Sequence, residues 1–195
     1  MRIIPQVSKE TSRGERAFDL YSRLLDDRII MLDGEVNDET ASLVIAQLLY
    51  LESKQPNEDI FLYINSPGGC VSSGLGIVDT IDSISCDVHT IGTGLSASMG
   101  AVILACGTKG KRHILPHAEV MIHQPLGGAK GQATDILIAS KHIEKTRNIL
   151  NGILAERTGQ DIDTITRDTE RDNWLDADEA IAYGLVDNIV EKRKG

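Results

Sequence analysis

The architecture turns on "DVHTIGTGLSASMGAVILACG", residues 87–107. An apolar strand-like segment, "DVHTIG" (87–92), passes through small residues into a helix-like run from about residue 98 to 106. Between them "GLSASMGA" (94–101) reads as a strand-to-helix turn with two serines, Ser96 and Ser98. It is not a literal Gly-x-Ser-x-Gly elbow, because Ser98 stands where the second glycine would fall. The glycines and alanines nevertheless let a substrate approach, and the N–H of the next residue, Met99, is a candidate oxyanion donor. Capping the following helix is the more ordinary use of either serine.

Outward from this turn, strand and helix patterns alternate. Residues 28–32 and 59–65 read as strands, as do 87–92 and 118–123. Helical spacing marks 39–54 (ending before Pro56), 71–84 and 176–184, and "LVDNIV" reads as a last strand. Strands alternating with helices predict a largely parallel sheet with helices packed on it. A Gly-rich connector, 124–132, leads into a long helical pattern over about 134–157. Its apolar residues Ile136, Ile143, Leu150, Ile153 and Leu154 suit either a core-packed helix or an arm reaching another subunit. Gly159 is placed to end that helix; Asp176, Glu179 and Gly184 are placed to cap the later one.

The 195 residues, 41% of them hydrophobic, suffice for one domain, with or without a projection. A net charge of −9 argues against nucleic acid as a partner. No apolar run reaches membrane-spanning length, and the N-terminus lacks a signal-peptide core, so a soluble protein is expected. Cys70, Cys86 and Cys106 are too few for a disulfide framework and lack metal-site spacing; they read as buried, reduced thiols of a cytosolic protein.

A serine nucleophile needs a base. His123, ending the strand "EVMI" just before Gln124 and Pro125, is the best placed of five histidines, because strand ends at one sheet edge are where sites assemble. The orienting carboxylate falls in "RDTERDNWL" (167–175), where spacing does not choose among Asp168, Glu170 and Asp172. "NSPGG" (65–69), between a strand and a helix, can aim backbone N–H groups at an anion; it lacks the Gly-Lys-Ser/Thr of a nucleotide loop.

Taken in order, "RGERAFDLYSRLLDDRIIML", "LYINSPGG", "ASMGA", "LPHAEVMIHQPLGGAKGQATDI", "LAERTG", "RDTERDN" and "EAIAYGLVD" resemble the proteolytic subunits of the Clp protease over nearly the whole chain. The resemblance implies an α/β, crotonase-like spiral of βα units (18–195). It also implies a projecting helix-strand handle at about 124–158, with "QPLGGAKGQ" as the handle's strand, and an N-terminal segment (1–17) lining an axial pore. It implies Ser98 as nucleophile, His123 as base and Asp172 as its orienting acid, with Gly69 and Met99 as oxyanion donors and Ser96 as a tolerated small residue or cap. No metal or organic cofactor is implied. The implied assembly is a homo-oligomer of two stacked heptameric rings, fed with unfolded polypeptides by a hexameric AAA+ unfoldase of the ClpX, ClpA or ClpC type that spends the ATP.

Phe61, Tyr63, Ile91 and Leu115 keep the apolar character of the family's docking clefts, whereas Ser83, Thr93 and His113 depart from it. Glu170 and Arg171 are expected near the ring–ring contact. Three rival readings are a crotonase-type acyl-CoA enzyme, a non-catalytic or partner-dependent ring subunit, and a serine–lysine membrane peptidase. The first leaves "ASMG" with "MIHQP" unused, the second leaves an intact Ser, His and Asp set unused, and the third lacks a lysine in "SPGG" or "ASMGA".

Overall fold

The computed structural model describes residues 4–11 and 14–190. The expected N-terminal segment 1–17 therefore lies partly outside the described residues. Its described portion forms an antiparallel hairpin, β1 (Gln6–Thr11) and β2 (Gly14–Asp19).

A short helix, α1 (Leu20–Asp26), leads into β3 (Ile29–Asp33). The α2 helix (Asp38–Lys54) starts at a reciprocal cap between Asn37 and Thr40 and buries Ala41, Val44, Leu48 and Leu51, the stripe its apolar spacing predicts. Between α1 and β3, Arg28 takes a left-handed φ of 63°. Its buried guanidinium donates to the carbonyls of Leu51, Gln55, Glu58 and Asp59, at the negative end of the α2 dipole.

The main sheet has seven strands. Along its path β3 pairs with β4 (Ile60–Ser66), then β5 (Val88–Ala97), β6 (Arg112–Ile114) and β9 (Asn188–Ile189), all in parallel. Two crossover helices pack on it, α3 (Val71–Ser83) and α4 (Met99–Ala105), every residue of α4 being buried. The long β5 strand changes partner along its length: residues 90–92 pair with β6, and residues 95–97 pair with β7 (Glu119–Ile122). A bulge between Ile64 and Ser66 allows the change, and side chains replace the lost ladder bonds. The Leu95 N–H donates to Asn65 Oδ1 (3.1 Å), and the Thr93 hydroxyl donates to the Ile64 carbonyl (3.1 Å).

The helix α5 (Ala133–Thr158) ends at Gly159 in the left-handed region. It buries only Leu150, Asn151 and Leu154, whereas Ile136, Leu137 and Ile138 in its first half are exposed. At 26 residues it spans about 39 Å, so the core holds one end and the other stands clear. The resemblance implied a strand at 124–132, but these residues form no ladder with any described strand. Pro125 lacks a donor and Gly127, Gly128 and Gly131 favour coil, so a strand there needs a partner that the described residues do not provide. Then follow α6 (Ile162–Asp168), β8 (Asn173–Leu175) and α7 (Ala177–Tyr183), which has the Asp176–Glu179 capping box and the Gly184 stop. Among the described residues no helix is long and apolar enough to cross a membrane.

The end of the sheet is fastened by a buried ion pair. Arg112 Nε and a terminal guanidinium nitrogen donate to the two oxygens of Asp187 (3.0 and 2.6 Å), and the backbone N–H groups of Gly110 and Arg112 add to it. Burial raises the Asp187 carboxyl's pKa, but the Arg112 side-chain and backbone hydrogen bonds outweigh it and hold the group below the usual carboxylate range. A depressed folded-state pKa adds stability above the unfolded value of about 3.9, and that stability disappears as pH falls through the folded value. Denaturant titrations at pH 7 should show Asp187→Asn less stable by about 3 kcal/mol, because Arg112 is left buried and unpaired. The difference between the two proteins should shrink as the titrations move below pH 4.

Candidate active site

Three strand ends converge at one edge of the sheet. Because β7 runs parallel to β5, Ser98 and His123 leave the same edge; because β8 runs antiparallel to β7, with Ile122 opposite Asn173, Asp172 enters beside His123. The Ser98 hydroxyl lies 2.9 Å from His123 Nε2, and His123 Nδ1 lies 2.9 Å from Asp172 Oδ1. A carboxylate only accepts, so Nδ1 carries the proton and Nε2 is left to accept from the Ser98 hydroxyl. Asp168 and Glu170, which the spacing left as alternatives, point elsewhere: Asp168 accepts from Tyr183 (3.1 Å), and Glu170 pairs with Arg147 (2.7 Å).

Ser98 occupies the N-cap of α4 but makes no capping bond with its side chain. Its backbone, at φ 54° and ψ −121°, is in a region costing on the order of 1–3 kcal/mol for a residue with a side chain. Donation of its N–H to the Met121 carbonyl (2.8 Å) helps to hold it there. Ser96 is neither a cap nor part of this group. It sits inside β5, 1% exposed, with its hydroxyl unbonded, because the strand extends further than the apolar pattern shows.

The 65–69 turn closes the site. Gly68 (φ 91°) lies so close that a Cβ on it would be 2.6 Å from Ser98 Cβ, and one on Gly69 (φ 147°) would be 2.2 Å from the Val36 carbonyl oxygen. The bridge between Val36 and Gly69 uses the Gly68 carbonyl (2.8 Å) and the Cys70 N–H (2.7 Å), so the Gly69 N–H stays outside the ladder. Met99, as first residue of α4, likewise has no intrahelical acceptor. A cleft of about 340 Å³ opens here, lined by Glu35, Pro67, Gly68, Gly69, Val71, Ser98, His123, Pro125 and Leu126. Past Val71 and Leu126 lies a pocket of about 410 Å³, lined by Leu75, Ile143 and Ile149 among others.

The segment leading to Asp172 is tied to α5 and to Gln124. Buried Thr169 donates its hydroxyl to Asn151 Oδ1 (3.3 Å), its carbonyl accepts from the Gln124 N–H (2.6 Å), and Arg147 pairs with Glu170. Arg171 is exposed.

Phe61, Tyr63 and Ile91 share the outward face of adjacent strands, where Tyr63 sits opposite Ile91 and Ile91 opposite His113; Leu115 follows β6, its N–H on the Gly92 carbonyl. The polar departures have partners. Ser83 donates to the Thr80 carbonyl (3.0 Å), Thr93 serves the bulge, and His113 Nε2 lies 3.1 Å from His89 Nδ1. His89 stacks on Phe61 (centroids 4.6 Å apart) and its Nε2 meets Asp59 (2.9 Å), whose carboxyl is held below its ordinary range by Lys111 and by His89. Burial, with His89 adding, lowers the His113 pKa. This group escaped sequence reading because its members lie on three separate segments; only the common outward parity of Phe61, His89 and His113 hinted at it.

A family model described as Clp protease matches residues 12–193, and the chain belongs to that family. A relative of Ligilactobacillus salivarius (strain UCC118), the ATP-dependent Clp protease proteolytic subunit, is 56% identical over 194 residues, covering 100% of this chain and 98% of its own.

One expectation needs correcting: Cys70 is exposed, whereas Cys86 and Cys106 are buried. It stands at the N-cap position of α3 and lines the pocket past Val71, and hydrogen bonds from Ser72 and then Ser73 lower its thiol to about 7. Burial pushes Cys106 up to about 12. Iodoacetamide on the folded protein should alkylate Cys70 with a half-maximal rate near pH 7 and leave Cys106 unmodified until denaturation, as peptide mapping would show.

Proposed function

We propose that this chain is a serine endopeptidase, the proteolytic subunit of a Clp-type protease, acting through Ser98, His123 and Asp172. The observation that carries this reading is the continuous hydroxyl–imidazole–carboxylate chain, with 2.9 Å at each step, at the mouth of a cleft. Ser98 attacks a peptide carbonyl as His123 Nε2 takes its proton, and Asp172 steadies the imidazolium. The Gly69 and Met99 N–H groups hold the oxyanion, a kind of contact worth a factor of about 100–1000 in kcat. His123 returns the proton to the leaving amine, and water then releases the acyl-enzyme by the same route. This chemistry requires no metal or organic cofactor.

The rest of the reading concerns assembly in the cytoplasm. Two stacked heptameric rings of this chain enclose the clefts, the exposed half of α5 with the 124–132 segment forms the handle between rings, and the N-terminal hairpin lines the pore. A hexameric AAA+ unfoldase docks over the face bearing Phe61, Tyr63, Ile91 and Leu115 and supplies unfolded polypeptide. The ties from Asn151 and Arg147 to Thr169 and Glu170 support a coupling between stacking and alignment of the triad.

Labelling with a fluorophosphonate probe, followed by mass-spectrometric mapping, should modify Ser98 and no other serine. Ser98→Ala should abolish both labelling and hydrolysis of a short fluorogenic peptide; retained hydrolysis would overturn the assignment. For the coupling, Arg171→Ala should yield single rings with reduced peptidase activity, and single rings with full activity would remove it.

A further inference from the structure

The cleft that holds Ser98 and His123 carries one acidic side chain that the proposed mechanism does not use. Glu35 follows β3 and lines the wall with Pro67, Gly68 and Gly69. Its Cγ is 2.9 Å from the place a Cβ on Gly69 would occupy, so the side chain lies against the residue whose N–H is the proposed oxyanion donor. Its neighbours are otherwise employed: Asp33 accepts from Asn65 (3.1 Å), Asp38 from Ser73, and Asp172 pairs with His123. Among the described residues the Glu35 carboxylate has neither a hydrogen bond nor an ion pair; only its backbone carbonyl is engaged, by Thr40. Among the described residues no lysine or arginine lines this cleft.

An unpaired carboxylate in a cleft walled by proline, glycine, valine and leucine attracts a cation and repels an anion more strongly than one on an open surface, because the low-dielectric walls focus its field. Its position has a further consequence for an uncharged substrate. Negative charge develops at the Gly69 N–H as the tetrahedral intermediate forms, and Glu35 opposes it. A lysine or arginine side chain lying against Glu35 cancels that opposition while gaining an ion pair.

We infer that Glu35 is a specificity-determining residue, selecting polypeptide segments with a lysine or arginine next to the scissile bond and disfavouring those with an aspartate or glutamate there. The inference rests on the proposed role of Ser98 at this cleft. The apolar pocket beyond Val71 and Leu126 does not include Glu35, so the two walls receive different side chains of the same segment.

The test is a set of fluorogenic peptides that keep one leucine beside the scissile bond and vary a neighbouring position among lysine, leucine and glutamate. Each protein's rate on the all-leucine peptide serves as its own reference. The wild-type assembly should favour lysine over glutamate in kcat/KM by up to about fivefold, the upper end for an exposed ion pair. The ratio should fall to near unity in Glu35→Gln, invert in Glu35→Lys, and collapse in 1 M salt. A ratio unchanged across the three proteins overturns the inference. A second arm needs no turnover: by fluorescence anisotropy, Ser98→Ala should bind the labelled lysine peptide more tightly than the glutamate peptide, and adding Glu35→Gln should remove the difference; equal affinities on Ser98→Ala itself, or a difference that survives Glu35→Gln, overturn it too. Hydrolysis that persists in Ser98→Ala counts against the proposed nucleophile and leaves the anisotropy arm to judge Glu35, so the two failures remain distinct.

Discussion

The position of β7 is the constraint on which the site depends. It is held in two opposite senses, parallel against the far end of β5 and antiparallel against β8, and only this double pairing brings residues separated by long stretches of chain to one sheet edge. The near end of β5 is already committed to β6, so β7 has a place only because β5 bends away after the bulge at Asn65. That bulge costs ladder bonds, which Asn65 and Thr93 restore with their side chains. A shift of β7 by one residue would reverse the faces of its side chains and move the histidine away from the serine.

Much of this was legible in the sequence, and the exceptions have a physical pattern. The α2 and α7 helices announced themselves through apolar spacing and caps, because helix ends are satisfied locally by neighbouring side chains. By contrast β6 and β8 are three residues long, too short for an alternation to register, and both exist because longer strands beside them offer unpaired backbone. The charge-dense stretch around Asp172 therefore gave no strand signal, although it leads into β8. Residue types alone left three carboxylates open; the β7–β8 register leaves one beside His123.

The two serines show how local and tertiary forces divide the work. By local propensity both are capping residues. Tertiary packing puts Ser96 inside a strand with nothing to bond, and turns Ser98 out of the cap geometry by a backbone conformation that serine does not choose in isolation. The close approach of Gly68 allows no larger residue, so the serine, the turn and the start of α4 form one rigid corner. Charge is distributed with similar economy: the buried guanidiniums of Arg28 and Arg112 are satisfied by carbonyls and by Asp187, whereas the carboxylates at the cleft remain near solvent.

The geometry of Ser98 is borrowed from a strand that comes later in the chain. Its unfavourable backbone angles are supported by the carbonyl of Met121, so they belong to the closed sheet and not to the local sequence. A chain still emerging from the ribosome, or a fragment cut before β7, holds the serine without the Met121 carbonyl and without His123. The corner proposed as hydrolytic is therefore incomplete until β7, which also delivers His123, has docked and the segment before β8 has joined it.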